Sequence, residues 1–340
     1  MENLGVVGFT GAGANRLFSA LTGLPAPSEY EAAVGVATVP DERLDRLVEM
    51  SHSVKRVPAG FELVHLALTP GATPGEGLGA RLLGSLRNCE AILVVLRAFV
   101  EGGVTPDPTG DLTNLELEFV MTDATTVESR LDRQRRTAKG DKTLLPEIAA
   151  LERALDVLSG GDPISRSNLT ADERALLAPC FLLTLKPLLV VCNTGEAITA
   201  DDSIERPAGA LTVPIDLEAE IAAIDPDERA ELRESYGITE PALERVAHAA
   251  YRLLGLSTFL TTGDKESRAW TFRTGATAPE CAGVIHSDLQ RGFIRAEVIN
   301  WQELLDIGSW SKARESGKLR VEGKDYVVKD GDVLEIRFNV

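Results

Sequence analysis

The stretch GFTGAGANRLF near the N-terminus has the glycine spacing of a phosphate-binding loop. Gly8 and Gly13 stand at the two glycine positions of the pattern GxxxxGK[ST], and Gly11 lies between them. In such a loop, backbone N–H groups cradle the phosphates, the lysine neutralises them and the hydroxyl binds Mg²⁺. Here Ala14 and Asn15 stand at the lysine and hydroxyl positions. The sequence therefore predicts a turn shaped for phosphate that lacks its cation and its metal ligand.

The missing groups limit what this loop can bind. A charge-assisted contact to phosphate contributes roughly 1.5–3 kcal/mol, so losing several such contacts removes most of the affinity for a triphosphate. Arg16 does not replace the lysine, because it lies two positions further on, about 200° round the helix. We predict no catalytic residue. The predicted vestigial nucleotide-binding loop consists of Gly8, Gly11, Ala12, Gly13, Ala14 and Asn15.

Several short apolar runs must position this loop. They are spaced among helical stretches, a pattern that predicts a mostly parallel sheet covered on both faces by helices. The first run ends in the glycines of the loop, which indicates a strand, a turn and then a helix. The predicted strands are LGVVG (4–8), FELVHLAL (61–68), AILVVL (91–96), LLVVC (188–192) and ALTVPI (210–215).

The middle of the chain has a different pattern. Ile148, Leu151, Leu155 and Leu158 are three and four positions apart, the seam of a coiled-coil helix. A charged helical stretch, VESRLDRQRR, precedes this seam, and AKGDK supplies a turn between the two. We predict an antiparallel helical hairpin inserted into the sheet domain. Two ordinary surface helices remain the alternative.

The C-terminal segment has the alternation of β-strands. AWTFRTG, GFIRAEVI and KLRVEGKDYVVKDGDVLEIRFNV contain short alternating runs, with turn signals at GKD and DGD. One helix candidate, WQELLDIG, lies between them. The pattern predicts a compact module of strands and helices.

Charge and composition exclude several classes of protein. The chain of 340 residues has a formal net charge of −17, and 44% of its residues are hydrophobic. The segment from Lys265 onward is neutral, so the excess acid lies before it. Non-specific nucleic-acid binding requires lysine and arginine, so we expect none of any strength from the acidic sheet domain. The four scattered cysteines predict reduced thiols in a cytoplasmic protein. No apolar run approaches the roughly 20 residues of a membrane helix.

The chain resembles the YchF / Obg-like ATPase family over nearly its whole length. The motifs that carry the resemblance are GEGLG, LTLKPLLVVCNTGE, EPALERVAHAAYRLLGL, FLTTGDKESRAWTFRTGATAPECAGVIHSDLQRGFIRAEVI and EGKDYVVKDGDVLEIRFNV. The resemblance implies an α/β fold: a P-loop NTPase-like sheet with an inserted coiled-coil hairpin and a C-terminal β-grasp module called TGS. The implied domains are the NTPase-like domain at 1–122 and 183–262, the hairpin at 123–182 and TGS at 263–340.

The resemblance also implies a base-binding site. Asn193 and Glu196 match the family's NxxE motif, and the glutamate goes with a preference for adenine over guanine. The alternative is structural: Asn193 caps the end of a strand and Glu196 begins a helix. The later base-contacting loop of the family is rich in small residues, but it reads PIDLEAE here. Asp216 and Leu217 in that loop make the pocket differ from the family pattern.

Other positions that hold Mg²⁺ in the family have changed. The family's metal-linked aspartate, at the end of a strand, aligns with Val64, or with His65 if one residue is deleted. Neither is a carboxylate. The flexible segment that donates a metal-binding threonine reads PSEYEAAVGVATVP, which has no threonine before Thr38. We therefore predict no metal ligand in this chain.

Three functions follow from these residues. The leading hypothesis is a degenerate YchF-type ATPase/GTPase-like protein, linked to translation through the ribosome or tRNA, with no or very low hydrolysis. It would hold no cofactor firmly, and would bind ATP or ADP only weakly and without Mg²⁺. The first alternative is an active purine-nucleotide hydrolase with an altered site. The second is a small-ligand sensor that acts through the TGS domain. Whether the chain is an enzyme stays open at this point.

Overall fold

The structure, a computed structural model, describes residues 2–68, 78–197, 201–236, 238 and 241–339. Most of the GEGLG motif lies outside these residues. The chain divides into two compact units, Met1–Gly35 with Glu62–Val246 and Val36–Phe61 with Ala247–Val340. The sequence predicts three domains instead, and those boundaries remain a prediction.

The strands are short, as the apolar runs of the sequence require. In chain order they are β1 (Asn3–Gly8), β2 (Ala33–Val39), β3 (Lys55–Val57), β4 (Ala59–His65), β5 (Ala91–Arg97), β6 (Leu188–Asn193), β7 (Leu211–Val213), β8 (Leu256–Thr261), β9 (Glu266–Arg273), β10 (Phe293–Asn300), β11 (Arg320–Glu322) and β12 (Asp332–Phe338).

The helices range from a single turn to thirty residues. In chain order they are α1 (Ala14–Thr22), α2 (Glu42–Ser51), α3 (Ala80–Leu86), α4 (Pro108–Thr137), α5 (Leu145–Ser159), α6 (Ala171–Leu177), α7 (Ile215–Ala223), α8 (Pro226–Ser235), α9 (Ala242–Leu253), α10 (Ala278–Ile285), α11 (Ser287–Arg291), α12 (Trp301–Ile307) and α13 (Trp310–Glu315). No helix among the described residues is both long and apolar enough to cross a membrane.

One six-stranded sheet has the order β2-β4-β1-β5-β6-β7. The pairs of β1 with β4 and β5, of β5 with β6, and of β6 with β7 are all parallel, which confirms the predicted fold class. Strand β5 is buried along almost its whole length, because helices cover both faces of a parallel sheet. Loops that follow parallel strands meet at one edge, so the loop after β1 and the turn after β6 lie close together.

The hairpin helices pack through their apolar residues. Ile148, Leu151 and Leu158 are buried in a cluster with Val127 of α4, and Leu155 packs against the same cluster. These are the predicted seam residues. Helix α4 begins at Pro108, where the Asp107 side chain caps it, so residue 123, the predicted start of the insert, lies inside this helix.

The second unit contains its own sheet, with the order β11-β10-β12-β8-β9-β3. Strand β3 pairs in parallel with β9 through Lys55 and Glu266, which explains why residues 36–61 belong to the same unit as the C-terminal segment. Phe259 and Trp270 stack inside this unit, with ring centroids 6.2 Å apart. The mixed strands and short helices agree with the compact C-terminal module that the sequence predicts.

Candidate functional site: a phosphate-type loop and a base-type turn

The predicted loop connects β1 to α1 at the carboxyl edge of the parallel sheet. Gly11 and Gly13 have φ angles of 78° and 91°, a region that favours glycine. A Cβ on Gly13 would lie 2.6 Å from Nδ2 of Asn193, and one on Gly8 would lie 2.6 Å from the carbonyl oxygen of Val95. The glycines are therefore required both by backbone conformation and by the close approach of neighbouring chain.

Asn193 connects the loop to the turn after β6. We call this turn, residues 193–196, the base-type turn, because it contains the NxxE motif. Its side chain is 1% exposed, and its Nδ2 donates to the carbonyl oxygen of Ala12 at 3.0 Å. Its Oδ1 accepts from the N–H groups of Gly195, at 2.8 Å, and Ile215, at 3.3 Å. One side chain thus holds together the loop, the turn after β6 and the start of α7.

Glu196 lies shortly after the end of β6 and is exposed. The Gly195 carbonyl oxygen accepts from the N–H of Asp216 at 3.2 Å, so the turn contacts the PIDLEAE segment. The structure brings Asn193 next to the phosphate-type loop, as a nucleotide site requires. The same hydrogen bonds are expected if Asn193 only caps the end of a strand. The base-binding role of Asn193 and Glu196 therefore remains a prediction.

The side chain of Asn15 is engaged at both of its polar atoms. Nδ2 donates to the carbonyl oxygen of Pro27 at 3.1 Å, and Oδ1 accepts from the N–H of Arg16 at 2.9 Å. Ala14 carries no polar atom. The residues at the loop therefore do not fit Mg²⁺, which requires free oxygen ligands. Among the described residues, no group of three or more His, Cys, Asp and Glu side chains is placed to hold a metal ion.

Arg16 is paired with a residue of the PIDLEAE segment. Its guanidinium forms an ion pair with the Asp216 carboxylate, and the side chain of Arg16 is 58% exposed. The hydrogen bond to Asp216 raises the pKa of Arg16 above its usual value. Arg16 is thus charged but already paired, and it does not take the position that a loop lysine would take.

Val64 and His65, the two residues predicted from the sequence to align with the family's aspartate, lie at the end of β4. His65 is the last residue of this strand, pairs in register with Val6 and is 2% exposed. Its Nδ1–H donates to the carbonyl oxygen of Glu31 at 2.9 Å. Burial lowers the pKa of the His65 imidazole, so the ring is neutral near pH 7. Neither His65 nor its neighbour Val64 supplies a carboxylate.

The chain is similar to known proteins over its full length. The family model YchF-GTPase_C, described as a protein of unknown function (DUF933), matches residues 256–339. The "Ribosome-binding ATPase YchF" of Bacillus subtilis is 39% identical, and that of Escherichia coli O157:H7 is also 39% identical. Each alignment covers 99% of this chain and 99% of the relative.

The chain belongs to the YchF family. The solved structure of the Schizosaccharomyces pombe YchF GTPase superposes with a TM-score of 0.86 at 27% identity, covering 99% of this chain and 97% of that one. The family membership and the P-loop-type fold that the sequence predicts are therefore confirmed.

One contact of this YchF-family chain was not predicted from its sequence. The carboxylate of Glu29 accepts a hydrogen bond from the backbone N–H of Gly11 at 2.9 Å. A second acid, Glu101, has its Oε2 3.7 Å from where a Cβ on Gly11 would be. Glu29 lies in the segment where the family donates a metal-binding threonine. The position of Glu29 in this segment was the one feature of the sequence that could have predicted the contact, because a carboxylate there can approach the loop.

A small cavity borders the loop. Its volume is about 220 Å³, and its lining includes Thr10, Ala12, Arg97, Asp107 and Asp111. Burial raises the pKa of Asp111, and the neighbouring Asp107 adds to this effect, whereas Arg97 opposes it. The surroundings of the loop thus contain more carboxylates than guanidinium groups, which is unfavourable for a polyphosphate.

Proposed function

We propose that this YchF-family chain is a ribosome-associated partner protein that binds purine nucleotides weakly and does not hydrolyse them. The ribosome and nucleotide parts of the proposal rest on the relatives, whose names describe a ribosome-binding ATPase. The non-hydrolysing part rests on one observation. The loop keeps its shape, but Ala14 supplies no cation, and both polar atoms of the Asn15 side chain are bound within the protein.

Energetic magnitudes favour this proposal. Phosphoryl transfer relies on positioning and on electrostatic stabilisation of the developing charge. A lysine and a bound Mg²⁺ normally supply that stabilisation, each through contacts of roughly 1.5–3 kcal/mol. Ala14 supplies no cation, and the Asn15 side chain is bound within the protein. The carboxylates of Glu29 and Glu101 beside Gly11 have the wrong sign.

The partner-binding role falls to the rest of the chain. In this proposal the hairpin and the C-terminal module contact the ribosome or a tRNA-associated factor, and the parallel sheet is their scaffold. A cytoplasmic location is part of the same proposal. Co-sedimentation of the full chain with purified ribosomes tests it, and a chain that stays in the supernatant at low salt contradicts it.

Calorimetric titration tests the nucleotide part. We expect the wild type to bind ATP, ADP, AMP and GTP weakly, with no gain from Mg²⁺ and no phosphate release above background. The Ala14→Lys/Asn15→Ser variant should gain about tenfold in ATP affinity, which corresponds to one charge-assisted contact. Ala20→Lys, which places the same charge further along α1, is the control and should gain little.

Two results would favour the alternative of an active hydrolase with an altered site. One is Mg²⁺-dependent tightening of ATP binding by the wild type. The other is steady release of inorganic phosphate that a Glu196→Ala change abolishes. The first result contradicts the expected absence of a gain from Mg²⁺, and the second contradicts the proposed loss of hydrolysis.

A second candidate function is a small-ligand sensor that acts through the C-terminal segment. The second unit contains a cavity of about 640 Å³, which is lined mostly by residues before 263, Ser257 among them, and reaches the C-terminal segment at Thr274 and Asp330. This volume lies in the range typical of small-molecule sites, roughly 300–1,000 Å³. Native mass spectrometry of the full chain tests this function. A retained small molecule should be lost in Ser257→Trp and kept in Ser203→Trp, and a chain that retains none removes this candidate.

A further inference from the structure

One backbone N–H of the phosphate-type loop, that of Gly11, is bound by a side chain of the protein itself. We infer that Glu29 acts as an internal anion, which takes the place of a phosphate group on the Gly11 N–H and so restricts the site to nucleosides and nucleoside monophosphates. This inference rests on the proposed function, because it takes the loop and the Asn193 turn as the nucleotide site.

Two contacts hold the segment 27–31 against the loop. The N–H of Gly11 donates to the Glu29 carboxylate at 2.9 Å, and Asn15 Nδ2 donates to the carbonyl oxygen of Pro27 at 3.1 Å. Asn15, at the position of the Mg²⁺-binding hydroxyl in the loop pattern, therefore holds this segment in place instead. A carboxylate on a loop N–H makes the same type of charge-assisted hydrogen bond that a phosphate oxygen would make.

Two further contacts fix the backbone of segment 27–31. The carbonyl oxygen of Glu29 accepts from the N–H of Leu68 at 2.8 Å. The carbonyl oxygen of Glu31 accepts from the His65 ring at 2.9 Å. The backbone of Glu29 is therefore held by its own carbonyl and by that of Glu31. These hydrogen bonds position the Glu29 carboxylate next to the loop.

Charge determines which ligands this arrangement admits. A ligand phosphate that reached Gly11 would have to displace the Glu29 carboxylate and would still face Glu101 nearby. Each added phosphate brings further negative charge to the same place, whereas the base and ribose do not. We therefore expect affinity to fall from AMP to ADP to ATP, the reverse of the order for a phosphate loop that has its lysine and Mg²⁺.

Calorimetry on the full chain, without Mg²⁺, tests the inference with adenosine, AMP, ADP and ATP. In the wild type, ATP should bind at least tenfold more weakly than AMP. Glu29→Ala should raise ATP affinity about tenfold, equivalent to about 1.4 kcal/mol, and leave adenosine unchanged within twofold. The matched control is Glu31→Ala. It removes the same charge two residues away but keeps the backbone carbonyl that His65 uses, so it should change ATP affinity by less than threefold.

A measurement without ligand accompanies this titration. Hydrogen–deuterium exchange of the Gly11 amide should be about tenfold faster in Glu29→Ala than in the wild type, because a hydrogen bond protects an amide from exchange. In Glu31→Ala its rate should be unchanged.

Several outcomes overturn the inference. One is an unchanged exchange rate of the Gly11 amide in Glu29→Ala, and another is an equal change of ATP affinity in the two variants. The others are a wild type that binds ATP more tightly than adenosine, AMP and ADP, and a Glu29→Ala variant that binds no nucleotide. If these occur while the wild type releases no phosphate, only the role of Glu29 fails. Mg²⁺-dependent phosphate release by the wild type is the separate result that overturns the proposed function.

Discussion

The Nδ2 atom of Asn193 lies 2.6 Å from the position that a Cβ on Gly13 would occupy, so the loop and the base-type turn are packed against each other without room for a side chain. Gly13 is the N-cap of α1, and Asn193 is the last residue of β6. Their contact maintains the shape of the site in a chain that has no loop lysine.

Gly13→Ala should therefore destabilise the protein by about 2–3 kcal/mol. Part of this cost comes from the left-handed φ of 91° and part from the clash with Asn193. Gly23→Ala is the matched control, because Gly23 has a φ of 70° but open space around it, and should cost only about 1 kcal/mol. Urea unfolding measures both. Equal costs for the two variants would show that the Asn193 contact contributes nothing.

Asn193→Ala should cost about 2–4 kcal/mol, because it removes three hydrogen bonds and leaves the Ala12 carbonyl and two N–H groups without this partner. Glu196→Ala, at an exposed position of the same turn, should change stability by less than about 0.5 kcal/mol. If binding of adenosine is lost in Glu196→Ala while the free energy of unfolding is unchanged, the base-binding prediction gains direct support. A small loss of stability in Asn193→Ala would contradict the packing described above.

Asp123 should make stability depend on pH. Its carboxylate is fully buried and accepts from the N–H groups of Leu183, at 3.1 Å, and Thr184, at 2.7 Å. Burial raises the pKa of Asp123 above its ordinary value of 3.8, despite these hydrogen bonds. A raised folded-state pKa contributes stability that is present below the unfolded pKa and is lost as pH rises through the folded value. The stability of the wild type relative to Asp123→Asn should therefore fall as pH rises above about 4.

Urea unfolding at pH 4, 5.5 and 7 measures this dependence. Asp141→Asn is the control, because hydrogen bonds from the Thr143 side chain and backbone lower the pKa of Asp141 below 3.8. Its pH dependence thus lies mostly below the range tested, and its stability difference should be nearly constant. If the difference in the free energy of unfolding between the wild type and Asp123→Asn is also independent of pH, burial does not raise the pKa of Asp123.

Arg16→Ala should leave ATP affinity unchanged within about twofold, because the guanidinium is already paired with the Asp216 carboxylate. Its effect on stability should be below about 1 kcal/mol, since exposed ion pairs contribute little. Calorimetry and a double-mutant cycle with Asp216→Ala measure the two effects. A tenfold loss of ATP affinity would identify Arg16 as a substitute for the missing lysine.

The sequence was sufficient to predict much of the fold, because apolar runs and the leucine seam are local patterns. The five strands predicted for the parallel sheet correspond to β1, β4, β5, β6 and β7. Strand β3 was not predicted, since it is three residues long and has a largely exposed pattern. It becomes a strand by pairing with β9, whose residues follow far later in the chain.

The sequence by itself determined which chemical groups the loop lacks: Ala14, Asn15 and the strand-end His65 supply neither the lysine nor a carboxylate for Mg²⁺. Only the tertiary structure decided which residues contact the loop and which residue pairs with Arg16. Glu29 reaches Gly11 across 18 positions, and Arg16 reaches Asp216 across 200. The physical reason is that residue identity is local, whereas the pairing of two distant charges or hydrogen-bonding groups depends on the path of the chain between them.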